Sequence, residues 1–188
     1  MLNKHRFDKQ AGASLIEVLV SILLMSFGML ALGGMQAYSV AAQKNASNRA
    51  VASTMANELA ELIRLNRAGF AAGKYDVSMM TTGNKPTLKT CDFPSCTSTT
   101  LAEADLTSFQ NRVRTQLPLG GVELSRPGLS ITQADIWILW EEASVFDNTH
   151  TVNGVKQAAE YSSDNCSATA KALTTLPRCF YLRVEFND

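Results

Sequence analysis

Glu17 is the residue of this 188-residue chain whose chemistry most needs an explanation. It is the only charged side chain in the apolar run from Ala13 to Met35. An ionised acid inside a membrane span costs about 2.5–3.5 kcal/mol on insertion scales, so a carboxylate in such a run needs a partner. A nearby ammonium group would be such a partner, and it would make Glu17 one half of an ion pair.

The run from Ala13 to Met35 is long enough to cross a membrane. Its residues would rise about 35 Å as a helix, whereas the hydrocarbon core of a bilayer is about 30 Å thick. The residues before the run carry Lys4, Arg6 and Lys9 against a single Asp8. This excess of positive charge predicts a cytoplasmic N-terminus and places the rest of the chain outside the cytoplasm.

Two simpler explanations of the run compete with a specialised one. A secretory signal would be cleaved after the run, near Ala37. That interpretation leaves Glu17 unexplained, and the helical pattern continues beyond the run with no proline before Pro86. The other is a membrane anchor in which the glutamate is incidental.

Residues 12–20, Gly-Ala-Ser-Leu-Ile-Glu-Val-Leu-Val, resemble the class III signal of type IV prepilins and pseudopilins. The resemblance implies a leader peptide of residues 1–12, which a prepilin peptidase removes by cutting between Gly12 and Ala13, and N-methylation at Ala13. The family usually has phenylalanine after the glycine, where this chain has Ala13. The implied ammonium at Ala13 lies about one helical turn from Glu17, so the charges can neutralise each other within one subunit or between neighbours in a filament.

Four cysteines follow the apolar run, namely Cys91, Cys96, Cys166 and Cys179. The predicted topology places them outside the cytoplasm, where disulfides persist. Three sets of pairs can form, and the short spacings favour Cys91 with Cys96 and Cys166 with Cys179. A zinc site is the alternative, but neither pair has the two-residue spacing of a zinc knuckle, and His150 is the only histidine after the leader. The pair of Cys166 and Cys179 resembles the C-terminal disulfide loop of pilin-like proteins.

Residue sets for catalysis are not apparent in the sequence. No Gly-x-Ser-x-Gly motif or phosphate-binding loop accompanies His150, and His5 belongs to the leader. Asp135, Glu141 and Glu142 flank an apolar strand, and we interpret them as solvated strand ends. The sequence therefore predicts no enzyme, no cofactor and no metal, and the absence of a basic patch argues against nucleic acid.

One long helix from Ser14 to about Ala68 is the element that positions Glu17. Residues 13–35 form its apolar half and residues 36–68 its amphipathic half, and Gly69 is predicted to end it. One face of the second half is predicted to pack on a globular domain, and the other to face solvent. The packing positions are Val51, Met55, Leu59, Leu62 and Ile63, and the solvent positions are Lys44, Asn48, Arg49, Glu58 and Arg64.

Residues 69–188 are predicted to form a globular α+β domain with two disulfides. Residues 69–100 have the composition of a long polar loop. A second helix is predicted from Leu101 to Leu117, with Thr100 and Glu103 forming a capping box. Leu106, Phe109, Val113 and Leu117 share one face of that helix.

Alternating and apolar segments predict a small antiparallel sheet in the rest of the domain. The strands are expected at residues 122–125, 131–142 and 180–186, and residues 147–177 are expected to be irregular. The strand around Trp137 and Trp140 is apolar on both faces, so we expect it to be central, with both tryptophans in the core rather than on a sugar-binding surface. The resulting fold is a long helix packed on a small antiparallel sheet, as the pilin resemblance implies.

The resemblance also implies what the protein does. The helix from Leu15 to Gln36 resembles PilV-type minor pilins more than major pilins, as do the segments 137–140 and 181–186. It implies a minor pilin that primes assembly or forms the tip, held in the inner membrane with a periplasmic C-terminus before it enters a pilus. The implied partners are other minor pilins, the major pilin, the prepilin peptidase, the inner-membrane assembly platform and a tip adhesin. The alternatives are a minor pseudopilin of a type II secretion system and a membrane-anchored periplasmic binding module that never polymerises.

Overall fold

The computed structural model describes residues 14–78, 85–92, 94–142, 149–152, 155–158, 165–173 and 176–186. The predicted leader and the Gly12–Ala13 bond lie outside these residues. The chain divides into two compact units, Met1–Ala42 and Gln43–Asp188.

Helix α1 runs from Leu15 to Leu65, and its first part belongs to the first unit. This helix is long and apolar enough, by length and composition, to cross a membrane. The backbone carbonyl of Ser14 accepts the first hydrogen bonds, from the amides of Glu17 at 2.9 Å and Val18 at 3.2 Å. The glycines at 28, 33 and 34 lie inside the helix and do not end it.

The end of α1 differs from the prediction. The helix stops at Leu65, and a short helix α2 follows from Arg67 to Ala71. Asn66 separates them, and its side-chain oxygen accepts a hydrogen bond from the amide of Gly69 at 3.1 Å. Gly69 therefore lies inside a helix instead of ending one, because the asparagine supplies the break and caps the new helix.

The second part of α1 packs as predicted at all five positions. Met55, Leu59 and Ile63 are buried in the core, and Val51 and Leu62 are partly buried against it. Asn48 is buried as well, so its assignment to the solvent face was wrong. The remaining buried positions of the stripe are Ala52, Ala56 and Ala60.

Helix α3 runs from Ser98 to Gln116, three residues earlier at its start than predicted. Its N-cap is Thr97, and the capping box joins Thr97 to Thr100. Glu103 is not part of the box, because its carboxylate pairs with Lys74 and Lys89. These hydrogen bonds, first from Lys89 and then from Lys74, hold the pKa of Glu103 below its usual value.

Strands β1 (Gly121–Ser125), β2 (Gln133–Trp140) and β5 (Arg178–Glu185) form an antiparallel sheet in the order β1-β2-β5. The prediction that the strand around Trp137 is central is confirmed. A single residue, Val77, also bridges to Leu124 on the other side of β1.

The region expected to be irregular, residues 147–177, contains regular elements. Strands β3 (Thr149–Val152) and β4 (Val155–Ala158) form a separate antiparallel pair. A one-turn helix, α4, runs from Ala168 to Lys171. The expectation was wrong because each element is only four residues long, too short to show a clear period.

One hydrophobic core joins the second part of α1, helix α3 and the inner face of the sheet. Ile136, Ile138 and Trp140 of β2 belong to this core together with Leu59 and Ile63 of α1. Val184 and Phe186 at the C-terminal end of the chain complete it, and Phe180 and Leu182 pack at its margin. The structure therefore confirms the predicted α+β fold, a long helix packed on a three-stranded antiparallel sheet.

Candidate assembly site

Glu17 lies in the first turn of α1. Its side chain is exposed, and its backbone carbonyl accepts a hydrogen bond from the Ser21 hydroxyl at 2.7 Å. The first turn of a helix favours a carboxylate because the backbone amides point toward it. The N-terminus of α1 therefore lowers the free-energy cost of the Glu17 carboxylate without neutralising its charge.

The sequence restricts where a cation for Glu17 can come from. No lysine or arginine occurs between Glu17 and Lys44, so no cation lies within several helical turns after Glu17. The described residues of the first unit, 14–42, contain no lysine or arginine. On its own helix, a cation near Glu17 can therefore come only from the N-terminal side, and the other source is another molecule.

Large apolar side chains cover the helix after Glu17. Those between Leu15 and Val40 are 48–79% exposed within the chain itself. A contiguous surface of this kind is stable only when lipid or neighbouring helices cover it. The first part of α1 thus carries two features that require partners, a charge and an apolar surface.

Two disulfides shape the domain. Cys91 pairs with Cys96 directly before the N-cap of α3, and Cys166 pairs with Cys179 at the start of β5. The second bond packs with Leu139 on the outer face of the sheet. Among the described residues, no cluster of three or more His, Cys, Asp and Glu could hold a metal ion.

The outer face of the sheet buries a carboxylate that sequence reasoning did not identify. Glu123 alternates with the apolar residues Val122 and Leu124 in the sequence, and it is only 9% exposed. The Ser167 hydroxyl donates to it at 2.6 Å and the Thr169 hydroxyl at 3.3 Å. The segment carrying α4 therefore covers this face, and the Cys166–Cys179 bond ties that segment to β5. In the sequence, the spacing of Ser167 and Thr169 is the only local feature that points to these two hydrogen bonds.

Trp137 lies on the same outer face and Trp140 on the inner face, as the strand period predicts. Trp140 is fully buried in the core. Trp137 is partly buried, packs against the Cys166–Cys179 cluster, and donates its indole N–H to the Asn165 carbonyl at 2.9 Å. The prediction of a core position is right for Trp140, whereas Trp137 lies at the edge of a small second cluster.

The interpretation of the acids flanking β2 as solvated is wrong for two of three. Asp135 is 7% exposed and accepts hydrogen bonds from Tyr181 at 2.7 Å and from Arg183 at 2.7 and 2.8 Å. The Glu142 side chain is 5% exposed and lies 3.5 Å from Arg178. Glu141 is exposed as expected. These carboxylates bind structural partners, which accounts for their burial without catalysis.

Asp135 makes the stability of the domain depend on pH. Its hydrogen bonds with Arg183, opposed by burial and helped by Tyr181, hold the pKa of the carboxyl below its usual value. A depressed pKa stabilises the fold above the unfolded-state pKa of about 4, and that stabilisation is lost as pH falls through the folded-state value.

We expect Asp135→Asn to lower the free energy of unfolding by about 2 kcal/mol at pH 7, since Arg183 is half exposed and solvent weakens the pair. Urea unfolding at a series of pH values measures this, and the difference from the unsubstituted protein should shrink below about pH 4. Glu185→Gln, which changes an exposed carboxylate on the neighbouring strand β5, is the control. A difference that stays constant down to pH 2 would contradict this role for Asp135.

The described residues define a class of protein: an α+β chain in which a helix of membrane-spanning length continues into a domain with a three-stranded sheet and two disulfides. Comparison with family models adds two matches. Residues 34–107 match the Tt1218-like family, described as type IV pilin Tt1218, and residues 7–33 match the prokaryotic N-terminal methylation motif. Comparisons with curated proteins and with solved structures gave no match. The two family matches support the type IV pilin family and a pilin or pseudopilin subunit.

The two matches meet within α1. The methylation-motif match ends at residue 33, and the Tt1218-like match begins at Gly34 and continues through α2 into α3, so the sheet lies beyond both. Together the matched segments cover α1, α2 and the first part of α3, as far as residue 107.

Proposed function

We propose that this chain is a minor pilin of a type IV pilus, similar to the type IV pilus modification protein PilV. In this role it primes pilus assembly or lies at the tip with other minor pilins. The observation that carries the proposal is the methylation motif over residues 7–33, which includes Gly12, Ala13 and Glu17. The type IV pilin family is structural, and no catalytic role is proposed.

Proteolysis supplies the partner that Glu17 lacks. Cleavage between Gly12 and Ala13 creates an α-amino group about one helical turn from the carboxylate, where the two charges can pair. A pair formed between two subunits would fix their axial register, because a shift along the helix would separate two buried opposite charges. N-methylation at Ala13 keeps the positive charge.

The apolar surface of α1 would be covered in two successive environments. Before assembly, the helix crosses the inner membrane and the disulfide-containing domain lies in the periplasm, where disulfides form. After assembly, the helices of neighbouring pilins take the place of lipid. The partners in this sequence are the prepilin peptidase, the inner-membrane assembly platform, the other minor pilins and the major pilin, with a tip adhesin as a further partner.

A minor pseudopilin of a type II secretion system is the second candidate, because the same N-terminal motif is shared by prepilins and pseudopilins. Affinity purification of the tagged chain from detergent-solubilised membranes discriminates between them. Recovery of minor pilins supports the pilus, and recovery of secretion pseudopilins supports the alternative.

Mass spectrometry of the membrane-extracted protein tests the processing step. We expect a mature N-terminus at a methylated Ala13 and no peptide that contains residues 1–12. A strain without the prepilin peptidase is the control, and there the chain should retain its leader. An intact Met1 in the presence of the peptidase, or a cut near Ala37, would refute a prepilin and would favour a signal peptide or a plain membrane anchor.

A further inference from the structure

Residues 85–91, which we call the strap, lie along helix α3 without forming regular secondary structure. The strap runs antiparallel to the helix. Lys85 Nζ donates to the Thr115 hydroxyl at 3.1 Å at one end, and Cys91 Sγ lies 3.3 Å from the Thr100 hydroxyl at the other. Fifteen helical residues rise about 22 Å and six extended steps about 20 Å, so a nearly extended strap matches its track in length.

Five polar side chains of α3 form the track on which the strap lies. They are Thr115, Asn111, Thr107, Glu103 and Thr100, spaced so that they share one face of the helix. Between the two ends, Asn111 donates to the Pro86 carbonyl at 2.9 Å and the Lys89 amide donates to Thr107 at 3.2 Å. The Lys89 ammonium lies 2.9 Å from Glu103. Both backbone and side-chain groups of the strap therefore contact the track.

These contacts are polar and mostly exposed. Only Pro86 and Cys91 of the strap are partly buried, and Leu88 is 62% exposed. Exposed hydrogen bonds and surface ion pairs each contribute little to stability, and segments without buried apolar contacts open at low free-energy cost. The track alone therefore holds the strap weakly.

The Cys91–Cys96 bond adds a covalent restraint at the end of the strap, and its surroundings differ from those of the other disulfide. Cys91 and Cys96 are partly exposed, next to the polar N-cap of α3. Cys166 and Cys179 are 7% and 6% exposed and pack with Leu139. A reductant can reach the first bond without opening the core, whereas the second is shielded.

We propose that the Cys91–Cys96 disulfide is a redox latch that keeps the strap on α3, and that its reduction releases the strap while the rest of the domain stays folded. The reductant is a dithiol. One of its thiolates attacks a sulfur of the pair and its second thiol resolves the mixed disulfide, so that two electrons and two protons pass to Cys91 and Cys96 and the dithiol becomes a disulfide. This inference goes beyond assembly into a filament and does not depend on it.

Release of the strap would change the surface of the domain. The ammonium of Lys89 would leave Glu103, and the polar side chains of the track would become available to another extended segment. Lys74 would still pair with Glu103. The domain would thus have a latched and an open state with the same core.

Cleavage by trypsin after Lys89 reports on the open state, because the Lys89 side chain must leave Glu103 to enter the protease. The bond after Lys85 is followed by Pro86 and resists trypsin. Using the full chain in detergent, we expect a dithiothreitol titration with thiol alkylation to modify Cys91 and Cys96 at lower concentrations than Cys166 and Cys179. At the concentration that reduces only the first pair, the cleavage rate at Lys89 should rise about tenfold or more. Cleavage after Arg183 in β5, which reports on unfolding of the sheet, should stay unchanged.

Two variants separate the latch from the track. The double substitution of Cys91→Ser and Cys96→Ser should give fast cleavage at Lys89 without reductant, whereas Cys166→Ser with Cys179→Ser should not. Thr107→Val removes an acceptor of the track and should accelerate cleavage in the reduced protein more than in the oxidised one. The proposal is overturned if reduction leaves cleavage at Lys89 unchanged, if Lys89 and Arg183 become cleavable together, or if both disulfides are reduced at the same dithiol concentration.

Discussion

Replacing Glu17 by lysine is expected to eliminate the protein from filaments, whereas Glu17→Gln is expected to reduce its incorporation by about tenfold. A glutamine oxygen can still accept a hydrogen bond from an ammonium at Ala13, but it loses the charge-assisted part of the interaction, and about 1.4 kcal/mol corresponds to a factor of ten. A lysine instead places a second cation beside the first in a low-dielectric environment, where the repulsion is strong. We therefore expect more than about a hundredfold loss for Glu17→Lys.

The measurement is the ratio of this chain to the major pilin in sheared filaments, normalised to the amount in the inner membrane. Glu61→Lys is the matched control, because it reverses a charge on the same helix in a surface pair with Arg64 and should leave incorporation nearly unchanged. Mass spectrometry of each variant must show that the leader has been removed. Equal losses for glutamine and lysine would show that the carboxylate does not act through an ammonium partner, and no loss in either would favour an anchored module that never polymerises.

The sheet could be predicted because its strands carry strong local signals. Residues 136–140 are apolar at every position, which is what a strand with neighbours on both sides and both faces covered requires, and β2 is central. The last strand alternates, and its residues Val184 and Phe186 are buried while Arg183 and Glu185 are exposed. In both cases the pattern along the chain reflects the packing directly.

The polar contacts of the sheet could not be predicted, because their partners are distant in sequence. Asp135 is bound by Arg183, and Glu123 by Ser167 and Thr169. A carboxylate at the end of an apolar strand has the same local sequence whether it faces water or a partner brought there by folding. Without the register between β2 and β5, solvation was the reasonable expectation, and the structure overturns it.

The start of α3 illustrates a different limit. Residues 97–100 are Thr-Ser-Thr-Thr, and each of their hydroxyls could cap a helix. In the structure the N-cap is Thr97. Glu103 has the sequence position of a capping-box residue relative to Thr100, but its carboxylate forms ion pairs with Lys74 and Lys89. The choice among equivalent caps is made by contacts that the local sequence does not contain.

Glu17 could be singled out as the candidate site from the sequence alone, for a physical reason. A single ionised acid in an apolar run is costly wherever lipid or protein covers the run, so Glu17 required an explanation without any knowledge of the fold. The structure adds its place in the first turn of α1. The bond between Gly12 and Ala13 lies outside the described residues and stays a prediction from the sequence.

Substitution of Gly69 is expected to destabilise the domain more than any exposed change in the same helix. A Cβ at this position would lie 2.7 Å from the carbonyl oxygen of Ser98 and 2.8 Å from the Cβ of Ala102. Neither atom can rotate away, because one belongs to the backbone of α3 and the other is a methyl group fixed to it. The third close atom is Asn66 Nδ2 at 2.6 Å, and it donates a hydrogen bond to the same Ser98 carbonyl at 2.7 Å.

Two effects oppose each other at Gly69, and their magnitudes decide the outcome. Replacing glycine by valine in a helix gains a few tenths of a kcal/mol in helix propensity. Overpacking a close helix contact costs about 1–3 kcal/mol, and more for a branched side chain. The clash therefore dominates, and we expect Gly69→Val to lower the free energy of unfolding by about 3 kcal/mol.

Urea unfolding of the full chain in detergent, followed by the fluorescence of the buried Trp140, measures this loss. Ala68→Val is the matched control, because it places the same side chain at the neighbouring, exposed position of α2 and should cost no more than about 0.7 kcal/mol. A Gly69→Val protein as stable as this control would mean that α2 and α3 do not approach as closely as the structure shows. A loss of stability confined to Gly69→Val would instead establish that the contact between α2 and α3 stabilises the domain. The interruption of α1 at Asn66 makes this contact possible. The contact holds the start of α3 against the end of α1.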